Sequence, residues 1–311
     1  MKYIVTGGAG FIGSHIAEEL LRDRHEVVIY DNLLTGKPEN ISHLLPRENA
    51  AFISGSVLDL PGLKKAFQGA DCIFHEAAIV SVPRSVADPA ETHDVNLSGT
   101  LNVLLAARDC GVKKVIFASS AALYGNNPGL PKQESMTPDL HSPYAVSKLA
   151  GEYYCSVFSR LYGVRCTALR YFNVFGPRQD PSSPYSGVIS KIITSCLDHH
   201  PIIIYGDGRQ TRDFVYVRDV VRANLRAMKS DQDGVYNIAC GLRIDLNELA
   251  STIMELTGIT VPVVFESPRP GDVRDSLADI TRAKQAFGYS PEYTLRSGLE
   301  ETIGWFKLHP R

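Results

Sequence analysis

A tyrosine and a lysine at helical spacing carry the clearest chemistry in this sequence. Tyr144 and Lys148 form a Tyr-x-x-x-Lys pair, and Pro143 before them suits the first turn of a helix. The i, i+4 spacing places both side chains on one helical face. Because an ammonium stabilises a phenolate, we expect Lys148 to lower the pKa of Tyr144 towards the range useful for proton abstraction. Taken alone, such a pair more often marks an exposed helix face.

Hydroxyl groups upstream of this pair strengthen the case for a catalytic site. The apolar run 114–118 predicts a strand, and Ser119 and Ser120 follow at its carboxyl end. Ligands of open α/β sheets bind beyond the carboxyl ends of the strands. Ser120 is therefore a third candidate for the same site, with a simple serine turn at a strand end as its alternative.

A glycine-rich turn near the start of the chain predicts a dinucleotide site. Gly7, Gly10 and Gly13 lie between a short apolar strand and a helix, with GxxGxxG spacing. Such glycines permit a sharp turn, close approach to a pyrophosphate and close helix–strand packing, while the helix N-terminus favours the negative diphosphate. Asp31, at the tip of the next apolar strand, would accept hydrogen bonds from ribose hydroxyls and repel a 2′-phosphate. This favours NAD over NADP.

The elements that must position these residues alternate through the first half of the chain. The pattern predicts strands over 27–30, 51–53, 72–75, 114–118 and 164–169, and helices over 14–24, 60–68, 89–110 and 143–162. This order indicates an α/β fold, a Rossmann-type doubly wound parallel sheet covered on both faces.

The second half of the chain loses that alternation. Prolines and glycines cluster there between helical segments over 188–198, 217–228, 246–256 and 281–287. We expect an NAD-binding domain over 1–170, to which part of 214–240 returns, and a smaller, mostly helical substrate-binding lobe over 171–311. The substrate should then lie between the two parts.

Composition narrows the class of protein. The 311 residues carry a formal net charge of −2 and 44% hydrophobic residues, which gives no reason to expect a nucleic-acid partner or an anionic membrane. No apolar run approaches the roughly 18 residues of a membrane span, and a strand starting at Lys2 leaves no room for a signal peptide. Six scattered cysteines favour reduced thiols in a cytoplasmic protein. His199 and His200 lack companion ligands, so we expect no metal site.

In combination, the ordered motifs resemble one family across essentially the whole chain. The glycine turn, the segment SSAALYG around Ser120, the Tyr144–Lys148 pair and the segment LRYFNVFG around Asn173 are similar to the extended short-chain dehydrogenases that act on nucleotide sugars. The resemblance implies a tightly held NAD. It also implies that Tyr144 is the base, that Lys148 binds the nicotinamide ribose and the tyrosine, and that Ser120 binds the reacting sugar hydroxyl.

The resemblance also implies the residues around the cofactor. Its predicted contacts are Gly7, Gly10, Phe11, Ile12, Gly13, Asp31, Asn32, Ser56, Val57, Ala77, Asn96, Tyr144, Lys148 and Tyr171. One position departs from the family pattern, because Ser56 stands where an aspartate commonly contacts adenine. NAD retention is therefore expected to be looser. For Asn96, the alternative is a buried asparagine of structural value only.

Within the family, the segment after Ser120 narrows the reaction. Dehydratases carry an acidic pair where this chain has Ala121 and Ala122, so water elimination is disfavoured. The resemblance points instead to a nucleotide-sugar 4-epimerase, in which C4 is transiently oxidised and hydride returns to the opposite face. The alternatives are a UDP-glucose 4-epimerase proper, a UDP-glucuronate 4-epimerase, a decarboxylase and a non-catalytic NAD-binding sensor.

The nucleotide-sugar contacts follow from the resemblance. They are Ser81, Arg84, Ser120, Tyr144, Asn173, Gln179, Tyr185, Val188, Tyr205, Arg212, Arg269, Asp272 and Ser276, with the arginines as phosphate ligands. The small Ser276 leaves space for an N-acetyl group. The expected substrates are UDP-GlcNAc and UDP-GalNAc, with UDP-glucose and UDP-galactose left open. Apolar faces on the helices over 89–110 and 143–162 predict a homodimer, with packing against the sheet as the alternative.

Overall fold

The computed structural model describes residues 1–181, 187–268 and 273–309. Its strands are β1 (Lys2–Thr6), β2 (Glu26–Asp31), β3 (Ala50–Ser54), β4 (Cys72–His75), β5 (Lys114–Ser120), β6 (Arg165–Tyr171), β7 (Asn173–Phe175), β8 (Ile202–Tyr205), β9 (Thr211–Arg212), β10 (Phe214–Tyr216), β11 (Gly234–Ile238), β12 (Ile244–Asp245) and β13 (Val263–Glu266). Its α-helices are α1 (Phe11–Arg22), α2 (Leu60–Ala66), α3 (Val82–Ala87), α4 (Pro89–His93), α5 (Gly99–Asp109), α6 (Pro143–Tyr162), α7 (Val188–Leu197), α8 (Val217–Lys229), α9 (Leu246–Thr257), α10 (Thr281–Phe287) and α11 (Leu295–Leu308).

One parallel sheet forms the centre of the fold. Its strand order is β11-β6-β5-β4-β1-β2-β3, and the chain builds outwards in both directions from β1. The point where the direction reverses lies between β1 and β4, which is where ligands of such sheets bind. The predicted doubly wound α/β fold is confirmed.

Helices cover both faces of this sheet because its strands are apolar on both sides. On one face, Leu20 of α1 and Val221 of α8 pack on the strands. On the other, Leu63 of α2, Val103 of α5 and Phe158 of α6 do the same. Complete burial of one such side chain is worth about 1.5–3 kcal/mol, so the two cores hold the carboxyl edge of the sheet rigidly.

The second half of the chain builds a separate core and also returns to the sheet. Helices α7, α9 and α11 enclose buried residues that include Ile193, Ile253 and Leu299. Three short pairs complete this part: β7 with β10 and β8 with β13 in parallel, and β9 with β12 antiparallel. Strand β11 instead pairs with β6 of the main sheet, and α8 packs on α1.

The predicted helix over 89–110 is interrupted, which sequence periodicity did not indicate. It comprises α4, a π-helical turn over Asp94–Ser98, and α5. The buried Asn96 lies in this turn, and its amide oxygen accepts from Ile79 N at 2.7 Å. Its amide nitrogen donates to Ile79 O at 2.9 Å and to Ser147 Oγ at 3.3 Å. A wider turn of this kind often occurs at functional sites.

The described ranges contain neither a membrane-spanning helix nor a side-chain cluster suited to a metal ion. No helix there combines the length and apolar character needed to cross a bilayer. No cluster of three or more His, Cys, Asp or Glu side chains suited to a metal ion occurs there either.

Candidate active site

Helix α6 presents the tyrosine and lysine to the carboxyl edge of the sheet. Ser142 caps the helix by accepting from Ala145 N at 3.2 Å, and Pro143 opens its first turn. Tyr144 and Lys148 are 8% and 3% exposed, so neither lies on a solvated helix face. Lys148 Nζ donates to Ala118 O of β5 at 2.8 Å and lies 5.9 Å from the centre of the Tyr144 ring.

The protein alone does not give Tyr144 the lowered pKa that the sequence predicted. Burial raises the pKa of Tyr144, and the Glu76 carboxylate raises it further, while a hydrogen bond with Ser120 opposes them. Burial also lowers the pKa of Lys148 to about 8. For the protein without its cofactor the prediction is wrong, because loss of water destabilises a buried phenolate more strongly than Ser120 stabilises it.

Ser120 ends β5 at the point where the sheet meets α6. Its Oγ accepts from Ala122 N at 3.1 Å, and the Ser120 side chain acts to lower the pKa of Tyr144. The residues after it, Ala121–Tyr124, form a short 3₁₀ turn. The structure thus brings Ser120, Tyr144 and Lys148 together, although they come from two elements.

A buried polar network behind Ser120 was not found from the sequence. Ser119 Oγ donates to Glu152 Oε1 at 2.5 Å, and Arg170 binds both oxygens of Glu152 at 2.8 Å. Arg170 also donates to Tyr124 Oη at 2.9 Å, which in turn donates to Asn237 Oδ1 at 2.6 Å. The sequence feature that could have indicated Glu152 is its spacing, because Tyr144, Lys148 and Glu152 follow one another at intervals of four residues along α6.

The glycine turn between β1 and α1 leaves room that only glycines can provide. Gly7 has a φ of +68°, and a Cβ there would lie 2.6 Å from Ala77 N. A Cβ on Gly13 would lie 2.3 Å from Gly7 O. Gly10 caps α1 with no side-chain acceptor, so the first N–H groups of the helix stay available to an anion. These residues fit the pyrophosphate of a dinucleotide.

Asp31, which is expected to bind the ribose, also forms hydrogen bonds with the backbone around the glycine turn. Its carboxylate accepts from Ala9 N at 3.0 Å and from Leu33 N at 2.7 Å, and the residue is 7% exposed. The carboxylate therefore already fixes the two loops that would enclose an adenosine. Asn32, next in the chain, accepts from Leu34 N at 3.1 Å.

The other expected cofactor residues surround the same edge. Phe11 and Ile12 begin α1, and Ala77 packs on the glycine turn. Val57 is buried, and Ser56 Oγ accepts from Leu58 N at 3.2 Å. Tyr171 Oη donates to Glu76 Oε1 at 2.8 Å, which brings a carboxylate to the site from the end of β4. The sequence analysis did not identify Glu76. The feature that could have indicated it is the position of an acidic residue directly after a buried strand.

A cavity of about 550 Å³ brings together several of the predicted sugar-nucleotide residues. Its walls include Asn173, Gln179, Val188, Tyr205 and Arg212. Ser276 lies close by, donating from its backbone N to Thr211 O at 3.1 Å. The predicted residues Tyr185, Arg269 and Asp272 lie outside the described residues.

Two glutamines in this cavity carry buried oxygens without partners. Within the described ranges, Gln179 Oε1 and Gln210 Oε1 are the buried side-chain atoms that make no hydrogen bond. Their amide nitrogens donate to Val174 O at 3.1 Å and to Tyr205 O at 2.6 Å. Sequence reasoning missed Gln210. A ligand with N–H or O–H groups would satisfy both oxygens.

Ser81 and Arg84 have local partners instead. Ser81 Oγ caps α3 by accepting from Arg84 N at 3.0 Å. The Arg84 guanidinium binds Glu91 through two hydrogen bonds of 2.9 and 2.6 Å. Neither residue is among those lining the 550 Å³ cavity, so their part in substrate binding stays a prediction.

Comparisons with known proteins agree with this geometry. Residues 3–239 match the family described as NAD dependent epimerase/dehydratase. A UDP-glucose 4-epimerase of Mycolicibacterium smegmatis is 39% identical over 311 residues, covering 99% of both chains.

Two solved structures share the whole fold. A UDP-N-acetylglucosamine 4-epimerase of Methanobrevibacter ruminantium, in complex with UDP-N-acetylmuramic acid, is 42% identical with a TM-score of 0.96, covering 99% of this chain and 98% of its own. A UDP-glucuronic acid 4-epimerase of Bacillus cereus, in complex with UDP-glucuronic acid and NAD, is 33% identical with a TM-score of 0.92, covering 99% and 100%. The chain therefore belongs to the NAD-dependent epimerase/dehydratase family of extended short-chain dehydrogenases, and within it to the nucleotide-sugar 4-epimerases.

Proposed function

We propose that this protein interconverts UDP-GlcNAc and UDP-GalNAc by transient oxidation at C4, and that Tyr144 is its base. The observation that carries the proposal is the grouping of Ser120 with the buried Tyr144 and Lys148 at the carboxyl edge of β5. The positions after Ser120 hold Ala121 and Ala122, so this turn supplies no acid–base pair for dehydration.

Tyr144, Ser120 and Lys148 each have a separate role in the proposed reaction. When bound, NAD supplies the acceptor for the hydride that leaves C4 of the sugar and, once reduced, the donor that returns this hydride to C4. Tyr144 Oη takes the proton of the 4-hydroxyl and later returns it to the keto oxygen. The Ser120 hydroxyl, at the carboxyl end of β5, orients the sugar oxygen. Lys148 supplies positive charge beside the phenol and, with the cofactor bound, would donate to the nicotinamide ribose.

One residue beside the cavity and one in its wall favour the acetylated substrate. The side chain of Ser276 is small, and the unpartnered Gln179 Oε1 offers an acceptor to an acetamide N–H. Arg212 and Asn173 line the same cavity and would bind the diphosphate. The M. ruminantium relative bears the name of a UDP-N-acetylglucosamine 4-epimerase, which supports the same choice.

The test compares substrates on one protein. NAD-loaded protein is incubated separately with UDP-GlcNAc, UDP-glucose and UDP-glucuronate, and each C4 epimer is quantified by NMR. Turnover of UDP-GlcNAc is expected. Turnover of UDP-glucose alone would contradict the acetamide argument, and turnover of UDP-glucuronate alone would favour the glucuronate alternative. NAD binding without any turnover would indicate a non-catalytic sensor.

We also infer a homodimer formed through α6. Tyr153 and Leu161 on this helix are 62% and 70% exposed, which is unusual for large apolar side chains on one helix. Light scattering on the parent is expected to give twice the chain mass, and Leu161→Glu is expected to give the monomer. A monomeric parent would overturn this inference.

A further inference from the structure

The segment 177–180, which we call the clasp, follows β7 in the second half of the chain and is bonded to elements of the first half. Arg178 Nη2 donates to Glu18 Oε2 of α1, and Arg178 Nη1 donates to Ser14 Oγ at 3.3 Å. The Arg178 side chain is 12% exposed, so this ion pair is largely shielded from water. Arg178 also has a φ of +68°, an unfavourable backbone conformation that its surroundings must hold in place.

Two more contacts attach the ends of the clasp. His15 Nε2 of α1 donates to Pro177 O at 3.0 Å, because a carbonyl can only accept. Burial lowers the pKa of His15 to about 4, so the ring is neutral near pH 7. At the other end, Lys37 Nζ in the loop after β2 lies 3.1 Å from Asp180 Oδ2. The clasp is thus attached both to α1 and to the loop after β2.

These two attachment sites form walls of the predicted NAD site. Helix α1 begins directly at the glycine turn, where Ser14 N donates to Gly10 O at 3.1 Å. The loop after β2 folds back onto the same turn, because Lys37 N donates to Ala9 O at 3.0 Å and Asn40 Nδ2 donates to that oxygen at 2.9 Å. The clasp therefore joins the two walls to each other.

The clasp also borders the sugar-facing cavity. Gln179, between the two residues that form ion pairs, lines the 550 Å³ cavity. Its Nε2 donates to Val174 O at 3.1 Å, which fixes its side chain on β7. The clasp is therefore bonded to the walls of the cofactor site through Arg178 and Asp180, while Gln179 belongs to the cavity.

We propose that the clasp gates the exchange of NAD, so that it must detach from α1 or from the loop after β2 before the cofactor enters or leaves. The inference goes beyond the proposed epimerisation, because it concerns cofactor exchange and needs only that NAD binds at the glycine turn. The bonds of the clasp join protein groups to one another. Breaking them should therefore lower the barrier to entry and to exit alike, whereas loss of a direct NAD contact would chiefly speed release.

The test measures both rates with radiolabelled NAD and rapid filtration, following its binding to the free protein and its release into excess unlabelled NAD. In Arg178→Gln both rates should rise by about tenfold, because a shielded charge-assisted bond is lost, and the dissociation constant should change by less than about threefold. Parental rates, or faster release without faster binding, would overturn the proposal.

Glu18→Gln separates a gate from simple charge attraction. The substitution breaks the same ion pair but removes a negative charge, which by attraction alone would slow the release of an anionic diphosphate. A gate predicts faster release instead. The double variant should exchange NAD no faster than Arg178→Gln, because the pair is already broken there. Slower release in Glu18→Gln, or additive effects of the two substitutions, would contradict the gate.

A control and a milder variant complete the set. Arg296→Gln breaks an ion pair between α11 and α9, in which Arg296 Nη2 donates to Glu255 Oε1 at 2.9 Å, and should leave NAD exchange unchanged. An equal acceleration in this control would overturn the proposal. If Arg178→Gln does not fold, Lys37→Gln removes only the half-exposed attachment and should raise both rates by about twofold to threefold. Parental rates in that variant would then overturn it.

Hydrogen exchange in the protein without added NAD gives a readout that involves no cofactor. The backbone amide of Lys37, bonded to Ala9 O, should exchange faster in Arg178→Gln than in the parent. Unchanged protection of this amide would show that the clasp does not hold the loop.

The outcomes separate this inference from the proposed function. Should no UDP-sugar be epimerised while Arg178→Gln speeds both binding and release of NAD, the proposed function fails and the gate stands. Should the parent epimerise UDP-GlcNAc while Arg178→Gln exchanges NAD at the parental rates, only the inference about the clasp fails.

Discussion

Buried polar groups behind the cofactor-facing edge of the sheet are hydrogen-bonded to one another, whereas two of those in the sugar-facing cavity have no partner among the described residues. Behind the edge, Glu152, Arg170, Tyr124 and Asn237 form a continuous chain in which each polar group has a partner. In the cavity, Gln179 Oε1 and Gln210 Oε1 have none within the described ranges. Among the described residues, the first region is complete without a ligand, whereas the second leaves two acceptors open to one.

This difference follows from what each region must do. A buried acceptor without a partner costs about 1–3 kcal/mol, so it persists only where another requirement outweighs that cost. The catalytic groups have to stay within reach of one another through every turnover, and a satisfied network fixes them. The cavity has to admit and release a sugar nucleotide, and its unpaired oxygens strengthen binding when the donors of the ligand arrive.

The largest effect should come from removing the base. Tyr144→Phe deletes one hydroxyl, and the loss of general base catalysis should lower kcat by about 10³-fold, within the usual range of 10²–10⁴. NAD binding should be nearly unchanged, because the surrounding network stays intact. Epimerase assays and calorimetric NAD titration measure the two quantities. Epimerisation at the parental rate would show that another group is the base.

Filling the glycine turn should come next. In Gly13→Ala the new Cβ would meet Gly7 O at 2.3 Å, and overpacking of this kind costs about 1–3 kcal/mol, so stability and NAD affinity should both fall. The matched control is Gly304→Ala in α11, where a Cβ would meet nothing within 4 Å. That change should stabilise the protein by up to about 1 kcal/mol. Thermal unfolding with and without NAD distinguishes them, and equal effects would refute the turn geometry.

A pair of variants tests the comparison itself. Tyr124→Phe leaves Arg170 and Asn237 short of a partner and should destabilise the ligand-free protein by about 2 kcal/mol. Gln210→Met removes an oxygen that has no partner, together with one bond to Tyr205 O, so it should change the ligand-free protein by less than about 1 kcal/mol.

Urea unfolding measures both free energies, and repeating it with saturating UDP reports the ligand's contribution. Gln210→Met should lose part of the stabilisation by UDP, whereas Tyr124→Phe should keep it. The reverse pattern would show that the two regions do not differ in the way described.

The smallest effect should come from the adenine end. Ser56→Asp restores the carboxylate expected at this position, and a charge-assisted hydrogen bond should tighten NAD binding by about threefold to tenfold. Ser42→Asp makes the same charge change at an exposed serine and should have no effect. Calorimetric titration of NAD compares them, and equal affinities in all three proteins would exclude an adenine contact at Ser56.

Local patterns predicted the scaffold well where periodicity was strong. The predicted helix over 281–287 and the strand over 72–75 have the bounds that the structure shows, and the helix over 143–162 does as well. The helix over 89–110 was predicted without its π-helical turn, because Asn96 is drawn to the backbone of Ile79 on another element. A contact over 17 residues leaves no periodic signal.

By itself, the sequence determined that Tyr144 and Lys148 share a helix face and that a glycine turn follows β1, because both depend on neighbours within a few residues. Only the tertiary structure decided the electrostatics around them. Glu76 and Tyr171 are 95 residues apart, yet their hydrogen bond joins the ends of β4 and β6 at the carboxyl edge of the sheet. Burial then raises the pKa of Tyr144, where the helix alone predicted that it would fall. Desolvation depends on all the atoms packed around a group, and local spacing does not encode them.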